Sequence, residues 1–190
     1  GSSLSPLLSN IALSVLDRQF ENAWAARTHN QRARDRANGL PSYRMIRFAD
    51  DFVVLVRGTK AQAHAIKKQT AEFMAEQMRL TLSPEKTAIT HVDDGFDLLG
   101  FRIVRAPWRV SKRAAYVFPS KRALREIMHR IKTLTDRSTL NLSLDQLIHA
   151  LNPILRGWTN YHRHNAAKRC FAYLSHYLWW RVIRWLRKKY

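Results

Sequence analysis

The spacing of apolar residues near the start of the chain predicts a helix. Seven of them recur at three- and four-residue spacing: Leu8, Ile11, Val15, Leu16, Phe20, Ala23 and Trp24. This period is typical of an amphipathic helix, which we expect to run to about position 27. Pro6 suits the first turn of this helix, and Ser5 suits its cap.

Two short apolar runs further along predict a β-hairpin. Residues 43–46 and 52–56 combine aromatic and β-branched side chains, and Gly58 bounds the second run. Asp50 and Asp51 lie between the two runs. The sequence therefore predicts two adjacent carboxylates at the tip of a hairpin.

The segments on either side of this hairpin differ in character. Residues 27–42 are polar and basic, which predicts a mobile loop or a frayed helix end. Thr59 can cap a helix over residues 60–78. Pro84 then favours a turn, after which Lys86 would emerge just before another strand.

A second strand-rich region follows. Residues 96–103 predict a pair of strands or one strand bent at Gly100, with an ordinary β-bulge as the alternative. Residues 102–116 interleave basic and aromatic side chains, and residues 116–119 close this region. Guanidinium groups that pair with phosphates and aromatic rings that stack on bases are the usual means of gripping nucleic acid.

From Ser120 onward the pattern is helical. Ser120 suits the cap of one helix, and Ser143 suits the cap of a second helix that we expect to end before Pro153. A third helical run over residues 154–190 should break near residues 165–167. We expect most of the aromatic side chains in this run to lie in the core: Trp158, Tyr161, Phe171, Tyr173, Tyr177, Trp179, Trp180 and Trp185.

Net charge is the property of the composition that says most about the expected partner. The 190 residues contain 33 Lys and Arg against 14 Asp and Glu, a formal net charge of +19. So large an excess would repel itself without a polyanion nearby, which makes nucleic acid the expected partner and an anionic membrane the weaker alternative. No run of about 18 apolar residues is present, so we expect a soluble, cytoplasmic protein and no membrane partner.

Metal and cysteine chemistry is limited by the same composition. One cysteine, Cys170, excludes an intrachain disulfide. A zinc site built from His162, His164 and Cys170 would lack a fourth ligand and the usual spacing. The adjacent carboxylates of Asp50 and Asp51 are either a structural turn or a site for a hard cation such as Mg²⁺, which needs few protein ligands.

Five stretches in order resemble one family, the reverse transcriptases encoded by bacterial group II introns. Residues 47–52, RFADDF, resemble the aromatic-Ala-Asp-Asp catalytic box. Residues 1–10 resemble the box that precedes it, and residues 83–87 and 98–101 resemble the two that follow. Residues 155–163, LRGWTNYHR, are similar to the thumb or maturase segment of the intron-encoded proteins. This last stretch favours the intron proteins over CRISPR-associated or diversity-generating reverse transcriptases.

The resemblance implies an α+β chain. It would comprise a partial right-hand polymerase palm over residues 1–118, an antiparallel hairpin with packed helices, and an α-helical thumb bundle over residues 119–190. Asp50 and Asp51 would be the catalytic and metal-binding residues, with two Mg²⁺ ions in the complete site. Six further residues would line the nucleotide or primer site: Gly1, Ser2, Phe48, Ala49, Lys86 and Gly100.

The expected partners are group II intron RNA, an RNA template and a DNA primer. Eleven basic residues are expected to bind nucleic acid: Arg102, Arg105, Arg109, Lys112, Arg113, Arg156, Arg163, Lys168, Arg169, Arg181 and Arg184. The basic segment 27–42 is either a solvated surface or a clamp on an RNA backbone.

The resemblance also implies what this chain lacks. The family uses a third carboxylate on a strand upstream of the first box. We expect that this strand and the fingers domain are either supplied by an upstream polypeptide or lost through truncation. Asp17 lies on the helix after that box and does not match the position, and Asp93, Asp94 and Asp97 lie in the wrong element. Two functions therefore stay open: part of a polymerase, or an RNA-binding maturase element without polymerase chemistry. An unrelated basic domain is the third alternative.

Overall fold

The computed structural model describes residues 4–105 and 114–190, except the side chain of Ser5. The chain divides into two compact units, Gly1–Ile89 and Thr90–Tyr190. Within the described residues, six α-helices combine with two small antiparallel sheets. The expectation of a mixed helix and sheet chain is confirmed.

The first unit is a hairpin packed against two long helices. Its elements in order are α1 (Leu4–Ala25), α2 (His29–Ala37), β1 (Ser42–Phe48), β2 (Asp51–Arg57) and α3 (Lys60–Met78). Leu16 and Phe20 of α1 and Met74 of α3 are buried together, and apolar side chains from both strands pack on them. Burial of this one face of the hairpin fixes its register, because a slip of one residue would turn the apolar set outward.

Local sequence rules succeed for some elements of this unit. The predicted helix over residues 60–78 is confirmed, and Thr59 caps it as expected, with Gln62 completing a capping box. The helix at the start of the chain is also confirmed. Its predicted apolar face is only partly buried, since Leu8 and Ile11 are 62% and 59% exposed.

Other local predictions in this unit are wrong. The basic segment after α1 is not a loop, because Thr28 and Gln31 form a capping box that begins α2. Ser5 lies inside α1 and therefore does not occupy the position before the helix. No strand follows Lys86 directly within the described residues, and the next one begins at Phe96.

The second unit places a three-stranded sheet beside three helices. Its elements in order are β3 (Phe96–Leu98), β4 (Phe101–Arg105), β5 (Ala115–Pro119), α4 (Lys121–Leu134), α5 (Leu144–His162) and α6 (Lys168–Lys189), with a short 3₁₀ turn at Arg137–Thr139. The strands pair in the order β3-β4-β5 and are antiparallel. Ser120 and Ser143 cap α4 and α5 as predicted, and the break before α6 is confirmed.

The core of the second unit joins all three helices. Its buried members are Ile127, Ile131, Leu147, Leu151, Leu174 and Trp185. The prediction that a helix ends before Pro153 is wrong, since Pro153 lies inside α5. A proline in a helix interior costs about 3 kcal/mol, and here apolar side chains on both sides of it pack on the same core and offset that cost.

The aromatic side chains of α5 and α6 are less buried than expected. Trp185 is 1% exposed and belongs to the core, whereas Tyr161, Tyr173 and Trp179 are more than half exposed and Trp180 is 44% exposed. The prediction that most of them are core residues is therefore wrong. Within residues 4–105 and 114–190, no helix is long and apolar enough to cross a membrane.

Candidate active site and nucleic-acid interface

The tip of the β1–β2 hairpin presents the two predicted carboxylates. Phe48 pairs with Asp51, which leaves Ala49 and Asp50 as a two-residue loop. Ala49 has φ +55°, and Asp50 does not have a positive φ. A positive φ at the first loop residue alone is the pattern of a type II′ turn, which matches the twist of a hairpin. Asp50 lies in the turn and Asp51 is the first residue of β2.

Both carboxylates are exposed, and no described side chain or backbone group is bonded to either of them. Two adjacent carboxylates repel each other unless a cation or water compensates their charge. No set of three or more His, Cys, Asp or Glu side chains is grouped for a metal within the described residues. By donor chemistry alone, two exposed carboxylates suit a hard cation such as Mg²⁺, which takes few protein ligands and fills its shell with water and phosphate.

Arg47 fastens this tip to α1. Its Nε lies 2.9 and 3.1 Å from the two carboxylate oxygens of Asp17, its Nη2 also donates to Asp17, and its Nη1 donates to Asn10 at 2.8 Å. The same Nη1 donates to the carbonyl of Ala49 at 2.7 Å. The hydrogen bonds that Arg47 donates to Asp17 raise the pKa of Arg47, which stays charged. Arg47 therefore links the turn that carries Asp50 to a helix 30 residues earlier in the chain.

The remaining predicted substrate residues lie on several elements. Phe48 and Ala49 adjoin the carboxylates and are exposed, Phe48 to 66%. Lys86 is exposed in the turn after α3, and its amide donates to the carbonyl of Ser83. Gly1 and Ser2 lie outside the described residues.

Gly100 belongs to the second unit, in the tight turn between β3 and β4. Leu98 pairs with Phe101, and the loop residues Leu99 and Gly100 have φ +50° and +79°, the pattern of a type I′ turn. A Cβ at Gly100 would meet no atom closer than 3.7 Å, so the backbone conformation, not crowding, favours glycine here. The predicted pair of strands is confirmed, and both the single strand bent at Gly100 and the β-bulge alternative are wrong.

A tyrosine in α5 holds this turn in place. The hydroxyl of Tyr161 donates to the carbonyl of Leu99 at 2.8 Å, and its ring stacks on Phe101 at 4.8 Å. His162, beside it, is buried against Phe101 and Trp158. Burial lowers the pKa of His162, and its Nδ1 has no hydrogen-bond partner within the described residues.

Ten of the eleven predicted nucleic-acid-binding residues fall into three sets. Arg102 and Arg105 of β4 pair with Asp97 and Asp93, and the hydrogen bond to Asp93 raises the pKa of Arg105. Arg109, Lys112 and Arg113 lie outside the described residues. Five others have exposed side chains on or beside α5 and α6: Arg156, Arg163, Lys168, Arg169 and Arg184.

Arg181 differs from these five. Its guanidinium donates to the hydroxyl and carbonyl of Thr135, both at 2.8 Å, and to the carbonyl of Lys132 at 3.0 Å. These bonds satisfy carbonyls at the C-terminal end of α4, where a helix lacks internal partners. The structure therefore gives Arg181 a role in holding α4 and α6 together, and its contact with nucleic acid remains a prediction.

Comparison with known families decides what kind of chain this is. Residues 1–103 match the reverse transcriptase (RNA-dependent DNA polymerase) family, and residues 124–190 match the group II intron maturase-specific domain. The chain belongs to the group II intron reverse transcriptase/maturase family. The first match contains Asp50 and Asp51, and the second contains most of the helical bundle.

Three curated proteins are similar to parts of this chain, and one of them is named as a group II intron-encoded protein. Protein YkfC of Escherichia coli strain K12 is 34% identical over 139 residues, 65% of this chain and 36% of that protein. The group II intron-encoded protein LtrA of Lactococcus lactis is 40% identical over 58 residues, 30% of this chain and 10% of LtrA. The putative COX1/OXI3 intron 2 protein of Saccharomyces cerevisiae is 23% identical over 146 residues, 57% of this chain and 17% of that protein. This reverse transcriptase/maturase chain thus spans about a third or less of the length of the curated relatives it matches.

Two features of this reverse transcriptase/maturase were not predicted from the sequence. The first is the tie between Arg47 and Asp17, because nothing local links residues so far apart. The second is Gly95, which has φ +71° and where an added Cβ would lie 2.8 Å from the carbonyl oxygen of Ile103.

Membership of the reverse transcriptase family implies dependence on divalent metal ions in general.

Proposed function

We propose that this chain forms part of an RNA-directed DNA polymerase encoded by a group II intron. Residues 1–118 would be a partial polymerase palm, and residues 119–190 a helical thumb and maturase domain. The family matches support this proposal because the reverse transcriptase segment precedes the maturase segment. The polymerase would add nucleotides to the 3′ end of a DNA primer on an RNA template.

The hairpin tip is the observation that carries the proposal. Asp50 and Asp51 are exposed and unpaired within the described residues, on a turn that Arg47 fastens to α1. We assign Asp50 and Asp51 as the ligands of Mg²⁺. When bound, the metal would supply positive charge to the oxygens of the attacking primer and the departing pyrophosphate. A third carboxylate would come from polypeptide that this chain does not contain.

The residues of the chain would divide the remaining work. Arg47 would act as a positioning residue, since it bonds the turn that carries Asp50. Phe48 and Ala49 would line the nucleotide site beside the carboxylates, with Gly1 and Ser2. Lys86 would face the nucleotide or template, and Gly100 would support the primer end.

A second function has its own support. Residues 146–190 contain nine Lys and Arg and no Asp or Glu, and the maturase-specific match covers them. Such a surface binds RNA through backbone phosphates, largely by shape and charge. We propose that this domain binds folded intron RNA and assists splicing, whether or not the chain takes part in polymerisation.

Magnesium-dependent primer extension on an RNA template tests the polymerase proposal, with this chain combined with a polypeptide that supplies the third carboxylate. Asp50→Asn should abolish extension and leave RNA affinity within about two-fold, because removing an exposed carboxylate deletes a metal ligand without disturbing the basic surface. Glu76→Gln is the matched control, since Glu76 is also exposed and unpaired within the described residues. Full extension by Asp50→Asn would refute the metal assignment.

A further inference from the structure

The outward side of α6 carries aromatic and basic side chains in one line. Its members recur three or four residues apart: Arg169, Tyr173, His176, Trp180, Arg184 and Arg187. Residues at this spacing lie on the same side of a helix. We call this set the α6 stripe. All six side chains are exposed, Tyr173 to 53% and Trp180 to 44%.

Large exposed aromatic side chains require an explanation when several lie together. A single surface aromatic is ordinary, but contiguous apolar groups on a surface mark a binding site. Tyr173 and Trp180 are seven residues apart, which separates their Cα atoms by about 10 Å along the helix axis. His176 lies between them, so three rings follow one another along the stripe.

Trp180 is held in a defined orientation. Its Nε1 donates to Nε2 of His176 at 3.1 Å, and the two rings meet edge to face at 6.2 Å. A ring that is ordered before binding loses less conformational entropy when a ligand stacks on it. This hydrogen bond distinguishes Trp180 from Trp179, whose ring has no hydrogen-bond or ring partner within the described residues.

The positive charge of α6 indicates which kind of ligand the α6 stripe binds. α6 contains seven Lys and Arg and no Asp or Glu, so its field favours a polyanion. Arg169, Arg184 and Arg187 place guanidinium groups at both ends of the aromatic line. Arginines that pair with phosphates beside rings that stack on bases are the combination that binds single-stranded nucleic acid.

We propose that the α6 stripe binds unpaired nucleotides of RNA, with Tyr173 and Trp180 stacking on bases and the arginines pairing with phosphates. A duplex hides the faces of its bases within the stack, so an unpaired segment is the ligand that can use both aromatic rings. This inference rests on the proposed RNA-binding function, and it names the form of RNA and the surface that takes it.

Fluorescence anisotropy of the full chain with a labelled, unstructured oligouridylate and with a duplex RNA of equal length tests the stripe. Tyr173→Ala and Trp180→Ala should each weaken binding of the single strand about ten-fold and leave duplex binding within about two-fold. Trp179→Ala is the matched control, because Trp179 is adjacent, 63% exposed and outside the stripe. It should change neither affinity by more than about two-fold.

Salt titration separates stacking from charge. Arg184→Ala and Arg187→Ala should each reduce the slope of log affinity against log salt concentration by about 0.7, whereas the aromatic variants should leave that slope unchanged. Equal losses of single-strand affinity in Trp179→Ala and Trp180→Ala would overturn the proposed role of the stripe. So would an equal loss of affinity for the duplex RNA in the aromatic variants. A third refuting outcome is that these variants bind RNA normally and lose affinity only for phosphatidylglycerol vesicles, measured in parallel.

The outcomes also distinguish this inference from the function on which it rests. If the wild-type chain binds both RNAs and the aromatic variants bind as tightly, the stripe is refuted and the RNA-binding proposal stands. If the wild-type chain binds neither RNA at low salt, both are refuted. Circular dichroism of each variant would confirm that α6 is intact, as expected for exposed positions.

Discussion

Removal of Arg47 should loosen the hairpin tip without unfolding the first unit. The guanidinium bonds Asp17, Asn10 and the carbonyl of Ala49. Ala49 has φ +55°, a conformation that costs a residue with a Cβ about 1–2 kcal/mol. The bond from Arg47 to the Ala49 carbonyl is one of the interactions that hold this turn in that conformation.

The magnitude follows from how far the pair is buried. The side chains of Arg47 and Asp17 are 13% and 27% exposed, so the pair lies between a surface ion pair and a buried one. A surface ion pair contributes about 0–1 kcal/mol, and a hydrogen bond to a charged group about 1.5–3 kcal/mol. We therefore expect Arg47→Ala to lower the free energy of opening the tip by about 2 kcal/mol.

Amide hydrogen exchange of the β1–β2 hairpin measures this change. A loss of about 2 kcal/mol corresponds to a fall of about thirty-fold in the protection of amides next to the turn. Arg47→Lys should recover less than half of that protection, because a lysine cannot form the two parallel bonds to Asp17. Arg57→Ala is the control, since Arg57 is exposed at the far end of the same hairpin, opposite Ser42. Equal protection in Arg47→Ala and Arg57→Ala would refute the positioning role.

Three further predictions concern the second unit. Arg181→Ala should lower the free energy of unfolding by about 2 kcal/mol in a urea titration, because Arg181 bonds the end of α4. Arg184 does not make those bonds, so Arg184→Ala should change that free energy by less than about 0.5 kcal/mol, and equal effects of the two variants would contradict this prediction. Gly100→Ala should destabilise by about 1–2 kcal/mol through its positive φ, while Gly157→Ala, in the open interior of α5, should stabilise by about 0.5–1 kcal/mol, and the same titration would show opposite signs. Burial lowers the pKa of His162, so its contribution to stability is fully present above about pH 6.5 and is lost as the pH falls through and below that value. In thermal unfolding followed against pH, the stability of His162→Phe should therefore fall less at low pH than that of the wild type. Parallel curves for the two proteins would contradict the assignment.

Elements whose signals are local were predicted well from the sequence. The β1–β2 hairpin follows from two apolar runs around a turn, and α3 begins after Thr59 because a capping residue and an apolar stripe agree. α2 was missed although its signal is also local, since the capping box of Thr28 and Gln31 can be read in the sequence and was outweighed by the basic composition around it.

Features that depend on tertiary packing could not be predicted in this way. Pro153 argues against a helix by itself, and only the shared core on both of its sides explains why α5 continues through it. The same limit applies to the aromatic residues of α6, where composition suggested core and burial separates Trp185 from Trp180. The link from Arg47 to Asp17 joins two elements of the fold, and no sequence pattern indicated it.

The candidate site also has one part that the sequence predicted and one part that only the structure shows. Family resemblance identified the carboxylates, and the hairpin places Asp50 and Asp51 on an exposed tip as expected. What the structure adds is the residue that holds the tip. The roles of the carboxylates in metal binding remain predictions.

Binding of Mn²⁺, as a paramagnetic substitute for Mg²⁺, tests the central claim most directly. NMR of the chain should show the strongest Mn²⁺-induced broadening at the amides of residues 48–52, and that broadening should be lost in the double variant Asp50→Asn, Asp51→Asn. Asp93, Asp94 and Asp97 provide an internal comparison, because they also place several carboxylates close together in the sequence. Strongest broadening at those residues, or an unchanged pattern in the double variant, would contradict the assignment of the hairpin tip as the metal site.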